Sequence, residues 1–152
     1  MTASTVSHAP ASRAIRNLLG GKLVLRAQPR STRDWIGVVR RGISAAAVDA
    51  LSKSLRVSQS ELAASLGVPE RTLARRKREG VLTSDESAKV LRIARVAGRA
   101  QEVFEDFDAA LDWLKSTNAA LDGATPFSLL DTEIGAESVL DTLGRIEHGV
   151  FA

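Results

Sequence analysis

Basic residues crowd one short stretch of this chain: five of the ten residues that begin at position 70 are Lys or Arg. Arg71, Arg75 and Arg78 recur at spacings of four and three, which places them on one face of a helix. A guanidinium donates hydrogen bonds to phosphate oxygens and to guanine O6 and N7, so these residues have the chemistry of DNA binding. The alternative is an ordinary solvated helix face.

The residues before this stretch predict a helix, a tight turn and a second helix. Ser58 is suited to cap the first helix, and Glu61 completes a capping box. Gly67 can adopt the positive φ that ends a helix, and Pro69 is tolerated in the first turn of the next one. Leu73 is the inward anchor of the second helix. This is the helix-turn-helix arrangement, in which the second helix enters the DNA major groove.

The candidate DNA-contacting residues lie on both helices of this motif. Ser58 has an alternative role as a cap alone. Arg76 occupies a position that is often aliphatic and packed inward in such motifs, so it either reaches a phosphate or packs. The candidates are Ser58, Gln59, Arg71, Thr72, Arg75, Arg76, Lys77 and Arg78.

No arrangement of residues in the sequence indicates catalysis, a metal site or a cofactor. The chain has no cysteine, and its two histidines, His8 and His148, are far apart. Glu147 and His148 are neighbours, but successive helical residues point about 100° apart and do not converge. We therefore expect a protein that is not an enzyme and binds no cofactor.

Charge is divided unevenly along the chain. Residues 1–99 contain 19 Lys and Arg against 7 Asp and Glu, whereas residues 100–152 contain 2 against 11. The basic part suits DNA, because each neutralised phosphate releases counterions. DNA would repel the acidic part, which suits a protein partner instead. Coincidence of two solvated surfaces is the alternative.

The pattern of apolar and capping residues predicts an all-α fold in two parts. We expect a poorly defined segment over residues 1–30, a helix-turn-helix domain over 31–82, a connecting long helix over 83–104 and a small helical domain over 105–152. Within the first segment, a short helix is followed by a strand-like piece around residues 22–26. No signal peptide or membrane span is evident, so the expected location is the cytoplasm.

The acidic part offers candidates for a protein interface. Glu133, Glu137 and Asp141 form a stripe at helical spacing, and a solvated face is its alternative role. Trp113 suits an interface, although packing within the C-terminal helices is the favoured alternative. The apolar end of the chain either inserts into a partner or folds back. The candidates are Trp113, Glu133, Glu137, Asp141, Glu147, His148, Gly149, Val150 and Phe151.

Short segments in a fixed order between residues 31 and 152 add a more specific signal than the helix-turn-helix alone. The segments are TLARR at 72–76, EG at 79–80, ES at 86–87, RIARV at 92–96, VF at 103–104, Ala109, WL at 113–114, NAAL at 118–121, GATP at 123–126, LLDTE at 129–133, GA at 135–136 and LGRIEHGVF at 143–151.

Together these segments resemble the Xre-type antitoxins of RES–Xre toxin–antitoxin pairs, which are related to the MbcA and ParS proteins. The resemblance implies an N-terminal helical domain that dimerises and binds the operator of its own operon. It also implies a C-terminal helical domain that binds the toxin and occludes its active site. RES toxins resemble ADP-ribosyltransferases and deplete NAD⁺, so that chemistry belongs to the partner.

Two other functions remain open from the sequence. The first is a stand-alone DNA-binding regulator whose C-terminal part mediates self-association. The second is a polar-localisation or scaffold protein of the ParS kind, in which protein binding dominates.

Overall fold

The computed structural model describes residues 12–149, and this part of the chain folds into α-helices and two short 3₁₀ helices without a β-strand. The all-α prediction is therefore confirmed. The α-helices are α1 Ser12–Leu18, α2 Lys22–Leu25, α3 Thr32–Arg41, α4 Ala46–Leu55, α5 Gln59–Leu66, α6 Glu70–Glu79, α7 Ser84–Phe104, α8 Phe107–Leu114 and α9 Glu133–Glu147, and the 3₁₀ helices are Ala119–Leu121 and Pro126–Leu129.

The long helix α7 is the centre of the fold. Thr83 accepts a hydrogen bond from the Glu86 amide, and the Glu86 side chain accepts one from the Thr83 amide, which completes a capping box. Helices α1, α3, α5, α8 and α9 all pack against α7. Its buried residues therefore surround the helix rather than forming one stripe, and they include Val90, Ile93, Val96, Ala97 and Ala100.

Helix α1 and the segment after it are tied to α3. The indole N–H of Trp35 donates to Ser12 Oγ at 3.0 Å, and Arg16 Nη1 donates to the Pro29 carbonyl at 2.7 Å. Ile15 and Leu19 are fully buried beside them. The N-terminal part of the described chain is thus held in the core.

The strand-like interpretation of residues 22–26 is wrong. Lys22–Leu25 forms one helical turn, and the amides of Val24 and Leu25 both donate to the Gly21 carbonyl. Leu23 is 92% exposed. A strand needs a neighbour to pair with, and no strand lies among the described residues. The backbone therefore satisfies its hydrogen bonds locally.

The C-terminal part is built on helices α8 and α9. Ala110, Leu111 and Leu114 of α8 are buried. Thr132 caps α9 by accepting from the Gly135 amide at 2.9 Å. On α9, Ala136, Val139 and Leu143 are buried, and Leu140 and Ile146 are half-buried. None of the helices in the described part of the chain is long and apolar enough to cross a membrane.

Candidate nucleic-acid and protein interfaces

The turn between α5 and α6 orients the basic helix. Ser58 Oγ accepts from the Glu61 amide at 3.0 Å, and the Ser58 amide donates to Glu61 Oε1 at 2.9 Å. That backbone hydrogen bond holds the pKa of Glu61 below its ordinary value. Gly67 has φ +70°, and the Val68 amide returns to the Ala63 carbonyl at 3.1 Å. The predicted helix, turn and helix are therefore present.

One buried side chain anchors helix α6 to the core, and the basic face of the helix is exposed to solvent. Leu73 is 2% exposed and is the buried residue of the helix. Arg71, Arg75 and Arg78 are exposed. Arg75 makes a long contact of 3.9 Å with Glu79 on the same helix, which exposed side chains can exchange for a ligand at little cost. This face can donate to phosphates or bases.

Arg76 is occupied within the protein. Its Nε donates to Glu86 Oε1 at 2.7 Å and its Nη1 to Glu79 Oε1 at 2.9 Å, and its side chain is 17% exposed. These two carboxylates raise the pKa of Arg76. Burial opposes ionisation of Glu86, but the Arg76 guanidinium and the Thr83 amide outweigh it and lower the pKa of Glu86. Arg76 thus joins α6 to the start of α7.

A second polar cluster joins α4, α5 and α6 at the side of the motif. Lys77 Nζ lies 2.9 Å from Asp49 Oδ1, and Gln59 Nε2 donates to the same oxygen at 3.2 Å. Two of the candidate DNA-contacting residues therefore share an acidic partner. Thr72 is half-buried on α6. The structure brings the eight candidates onto one motif, with Arg71, Arg75 and Arg78 the most accessible of its cations.

One residue of the acidic stripe on α9 forms an ion pair with α7, and the other two do not. Glu133 lies 3.5 Å from Arg92 of α7, whose Nε also donates to the Leu130 carbonyl at 2.9 Å. Glu137 and Asp141 are exposed, and neither forms an ion pair with another residue in the described part of the chain. Within the described chain, the unpaired part of the stripe is therefore Glu137 and Asp141, although Glu133 is also exposed.

An apolar side chain lies beside that acidic surface. Ile134 is 79% exposed and shares a face of α9 with Glu137 and Asp141, at spacings of three and seven. A single exposed aliphatic residue is common on protein surfaces, so Ile134 is a candidate for a protein contact through its position beside these two carboxylates. Ile134 was missed at the sequence level. Its position two residues before buried Ala136 places it on the opposite side of the helix.

The last turn of α9 is fastened to α7. Both carboxylate oxygens of Glu147 accept from the Arg99 guanidinium, which lowers the pKa of Glu147. His148 Nδ1 lies 2.7 Å from the Gly144 carbonyl, so this nitrogen is the donor. Gly149 is exposed with φ +70°. Val150 and Phe151 lie outside the described residues.

Trp113 packs at the edge of the core. Its ring is half-buried and lies against Phe104, with ring centroids 5.8 Å apart and planes tilted by 42°. This contact supports the packing role that the sequence favoured, while the accessible part of the ring leaves an interface role open.

The partners of several functional candidates come from distant parts of the chain. Four candidate residues form ion pairs with partners that no local sequence pattern identifies. These partners are Glu86, Asp49, Arg92 and Arg99. No group of three or more His, Cys, Asp or Glu residues within residues 12–149 is placed to hold a metal ion.

Two family models match the chain in succession. Residues 34–95 match the antitoxin Xre-like helix-turn-helix domain. Residues 99–149 match the antitoxin Xre/MbcA/ParS C-terminal toxin-binding domain. The first range contains α6 and its basic face, and the second contains the acidic stripe of α9.

Curated proteins similar to this chain cover most of its length. A protein named antitoxin Xre from Yersinia enterocolitica is 34% identical over 116 residues, which is 75% of this chain and 78% of that protein. An antitoxin Xre from Photorhabdus laumondii is 34% identical over 117 residues, 76% of this chain and 79% of the relative. A Prs ADP-ribosylating antitoxin from Sphingobium is 30% identical over 141 residues, 86% and 87% of the two chains.

Proposed function

Because this chain belongs to the Xre family of antitoxins, with a helix-turn-helix and a toxin-binding domain, we propose that it neutralises a RES-type toxin and represses its own operon. The observation that carries the proposal is the succession of these two domains on one chain. Their surfaces have opposite charge, so one molecule can engage DNA and a protein at separate sites.

Operator binding uses the exposed face of α6. Arg75 and Arg71 contact bases or phosphates in the major groove, and Lys77 and Arg78 contact phosphates. Arg76 is already bound to Glu86 and supports helix α6 through that ion pair, so the proposed DNA contacts do not include it. The protein acts as a homodimer joined through its N-terminal part, because a palindromic operator presents two half-sites about one helical turn apart.

Substitution of Arg75 tests the DNA-binding role. A bidentate Arg–guanine pair contributes about 1–3 kcal/mol of discrimination, so we expect Arg75→Ala to weaken operator binding about tenfold and relax sequence preference. Fluorescence anisotropy with the promoter duplex and a scrambled duplex, at one salt concentration, measures both. The matched control is Arg145→Ala, which removes an exposed arginine from α9. Equal affinity of Arg75→Ala and the parent for the promoter would contradict the assignment.

Toxin binding uses the unpaired residues of the α9 stripe and the end of the chain. Ile134, Glu137 and Asp141 supply an apolar contact flanked by carboxylates, which suits a basic toxin surface. Glu147, His148 and Gly149 lead from α9 into Val150 and Phe151. We propose that this end enters the active-site cleft of the toxin and blocks it, and that Trp113 contributes at the margin.

Deletion of residues 147–152 tests this second role. We expect the shortened chain to lose neutralisation while it still binds the promoter duplex. Because the deletion also removes the Arg99–Glu147 ion pair, the control is Arg99→Gln in the full chain, which removes the same ion pair, keeps residues 147–152 and should still neutralise. The measurement is growth of cells that express the toxin encoded beside this chain, together with co-elution of the two proteins. A shortened chain that protects cells would refute the role of the tail.

The reaction blocked in the toxin is consumption of NAD⁺. One relative is named a Prs ADP-ribosylating antitoxin, which favours transfer of ADP-ribose to a protein as a second candidate reaction. Purified toxin incubated with labelled NAD⁺ distinguishes them: depletion leaves free ADP-ribose, and transfer labels a protein. In either case this chain should suppress the reaction at equimolar amounts. Failure to suppress it, or the absence of a RES-type neighbour, would favour a stand-alone regulator.

A further inference from the structure

An open recess of about 380 Å³ lies at the C-terminal end of the basic helix α6. It is formed where Gly80 and Val81 meet Ser44 and two arginines, Arg26 after α2 and Arg41 at the end of α3. No carboxylate lines it. The two arginines lie outside helices α5 and α6 and were not among the candidates that the sequence singled out. The recess adjoins the end of α6 at Gly80 and Val81.

Both arginines are available for a ligand. Arg26 and Arg41 are exposed, and neither forms an ion pair with another residue of the described chain. Asp34, the one acid in α3, is engaged elsewhere, because its Oδ2 accepts from the amides of Arg30 at 3.0 Å and Ser31 at 3.3 Å. Those hydrogen bonds keep its pKa below the ordinary value. Neither guanidinium therefore forms an ion pair with a carboxylate of the described chain, although Arg41 also lines an adjoining recess together with Asp34.

The backbone fixes one wall of the recess. Ser44 and Val81 face each other across an isolated antiparallel bridge, flanked by hydrogen bonds from Leu82 to Ile43 at 2.9 Å and from Ala45 to Gly80 at 3.0 Å. In such a pair the amides of the two facing residues point away from each other, so they do not converge on one ligand. The donors that suit an anion are therefore the two guanidinium groups.

We propose that this recess binds a backbone phosphate of the DNA whose major groove receives α6. The inference rests on the proposed operator binding, and it adds a contact outside the recognition face. Its role is to fix the register and orientation of α6 on the duplex, because phosphate contacts position a protein without distinguishing base sequence. Arg26 and Arg41 supply the charge, and the segment 80–81 brings the end of α6 against the sugar–phosphate strand.

Titration of DNA binding against salt tests the recess. Anisotropy with the promoter duplex and a scrambled duplex is measured at several KCl concentrations for the full chain and for Arg41→Ala, Arg26→Asn and their combination. Asn is chosen at residue 26 because it tolerates the left-handed φ of +56° found there. Arg13→Ala is the control, since Arg13 is exposed in a different recess beside Glu102 and Glu105. Circular dichroism checks that each variant is folded.

The double variant should bind both duplexes about tenfold more weakly, with an unchanged ratio between them. The slope of log affinity against log salt should fall by about 0.9 for each phosphate that the variant no longer neutralises. Arg13→Ala should match the parent. If the double variant has the same affinity and slope as the parent, the proposed phosphate site in the recess is refuted and the proposed operator binding is unaffected. An altered ratio between duplexes overturns the phosphate assignment in favour of base contact. A parent chain that binds neither duplex refutes operator binding and the recess together.

Discussion

At the scale of single residues, a few buried polar side chains join the helix-turn-helix motif to the central helix. Ser87 Oγ accepts from the Ile43 amide at 2.8 Å, and Ser87 is fully buried. Glu86, one residue earlier, accepts from Arg76. Buried donors and charges that lose their partner are costly. Adjacent residues at the start of α7 thus hold both the segment before α4 and helix α6.

Loss of the Ser87 hydroxyl should destabilise the fold. Ser87→Ala leaves the Ile43 amide buried without an acceptor, and we expect a decrease of about 1–3 kcal/mol in the free energy of unfolding. Ser84→Ala is the control, because Ser84 is exposed on the same helix and should change stability by less than about 0.5 kcal/mol. Urea denaturation followed by circular dichroism measures both. Equal values for the two variants would show that the Ser87 hydrogen bond is unimportant.

Acid should remove the contribution of Glu86. Its pKa is lowered in the folded protein from an ordinary value of 4.5, so its stabilising effect is complete above that value and is lost as the pH falls through the folded pKa. We expect Glu86→Gln to be less stable than the parent at neutral pH, with a difference that shrinks as the pH falls below 4.5. Urea midpoints across this range measure it, and exposed Glu137→Gln is the control. A difference that grows on acidification would contradict the prediction.

At the scale of elements, α7 is shared by the two functional parts. Its first turn holds α6 through Glu86, its middle holds the start of α9 through Arg92, and its last third holds the end of α9 through Arg99. Helix α1 crosses it at Gly98, where an added Cβ would lie 3.4 Å from Ala14 Cβ and 3.5 Å from Ile15 Cγ1. The crossing is close because residue 98 has no side chain.

Enlarging residue 98 should separate α1 from α7. Gly98→Ala places a methyl group in ordinary contact and adds helix propensity, so it should be tolerated. Gly98→Leu overfills the crossing, and we expect a loss of about 1–3 kcal/mol in the free energy of unfolding. Urea denaturation measures stability, and hydrogen exchange of the α1 amides reports its detachment. Equal stability of the Leu and Ala variants would show that α1 and α7 can accommodate a larger side chain at little cost.

At the scale of the whole molecule, one core runs through both functional parts. A single cluster of buried side chains extends from Ile15 to Leu143. Outside the core, Arg56 at the end of α4 pairs with Asp108 of α8 at 2.8 Å, and Lys115 Nζ donates to the Arg56 carbonyl at 3.1 Å. The opposite charges of the two parts are therefore carried by one packed body.

The two tryptophans should report the same unfolding transition. Trp35 lies in the N-terminal part and Trp113 in the C-terminal part, and a shared core predicts cooperative loss of both. In Trp113→Phe the fluorescence comes from Trp35, and in Trp35→Phe it comes from Trp113. Each urea midpoint is compared with circular dichroism of the same variant and should coincide with it. Fluorescence and circular dichroism midpoints that differ within one variant would show independent unfolding.

The sequence by itself determined the features that depend on residues close along the chain. Capping boxes at Ser58 and Thr83 mark the starts of α5 and α7 because each needs residues only three apart. The 3.6-residue period placed Leu73 inward and the exposed arginines outward on α6. These local signals, with the ordered C-terminal segments, were sufficient for the helix-turn-helix and for the Xre family.

Only the tertiary structure decided the features that depend on distant pairs. Arg76 binds Glu86 on another helix, and Arg99 binds Glu147, which is 48 positions away in the sequence. Lys22–Leu25 is helical because no strand in the described chain lies beside it. Arg26 and Arg41 line one recess at the end of α6 because the fold brings α2 and α3 to that end. Local periodicity shows which side of a helix is apolar, but it contains no information on which other element that side will contact.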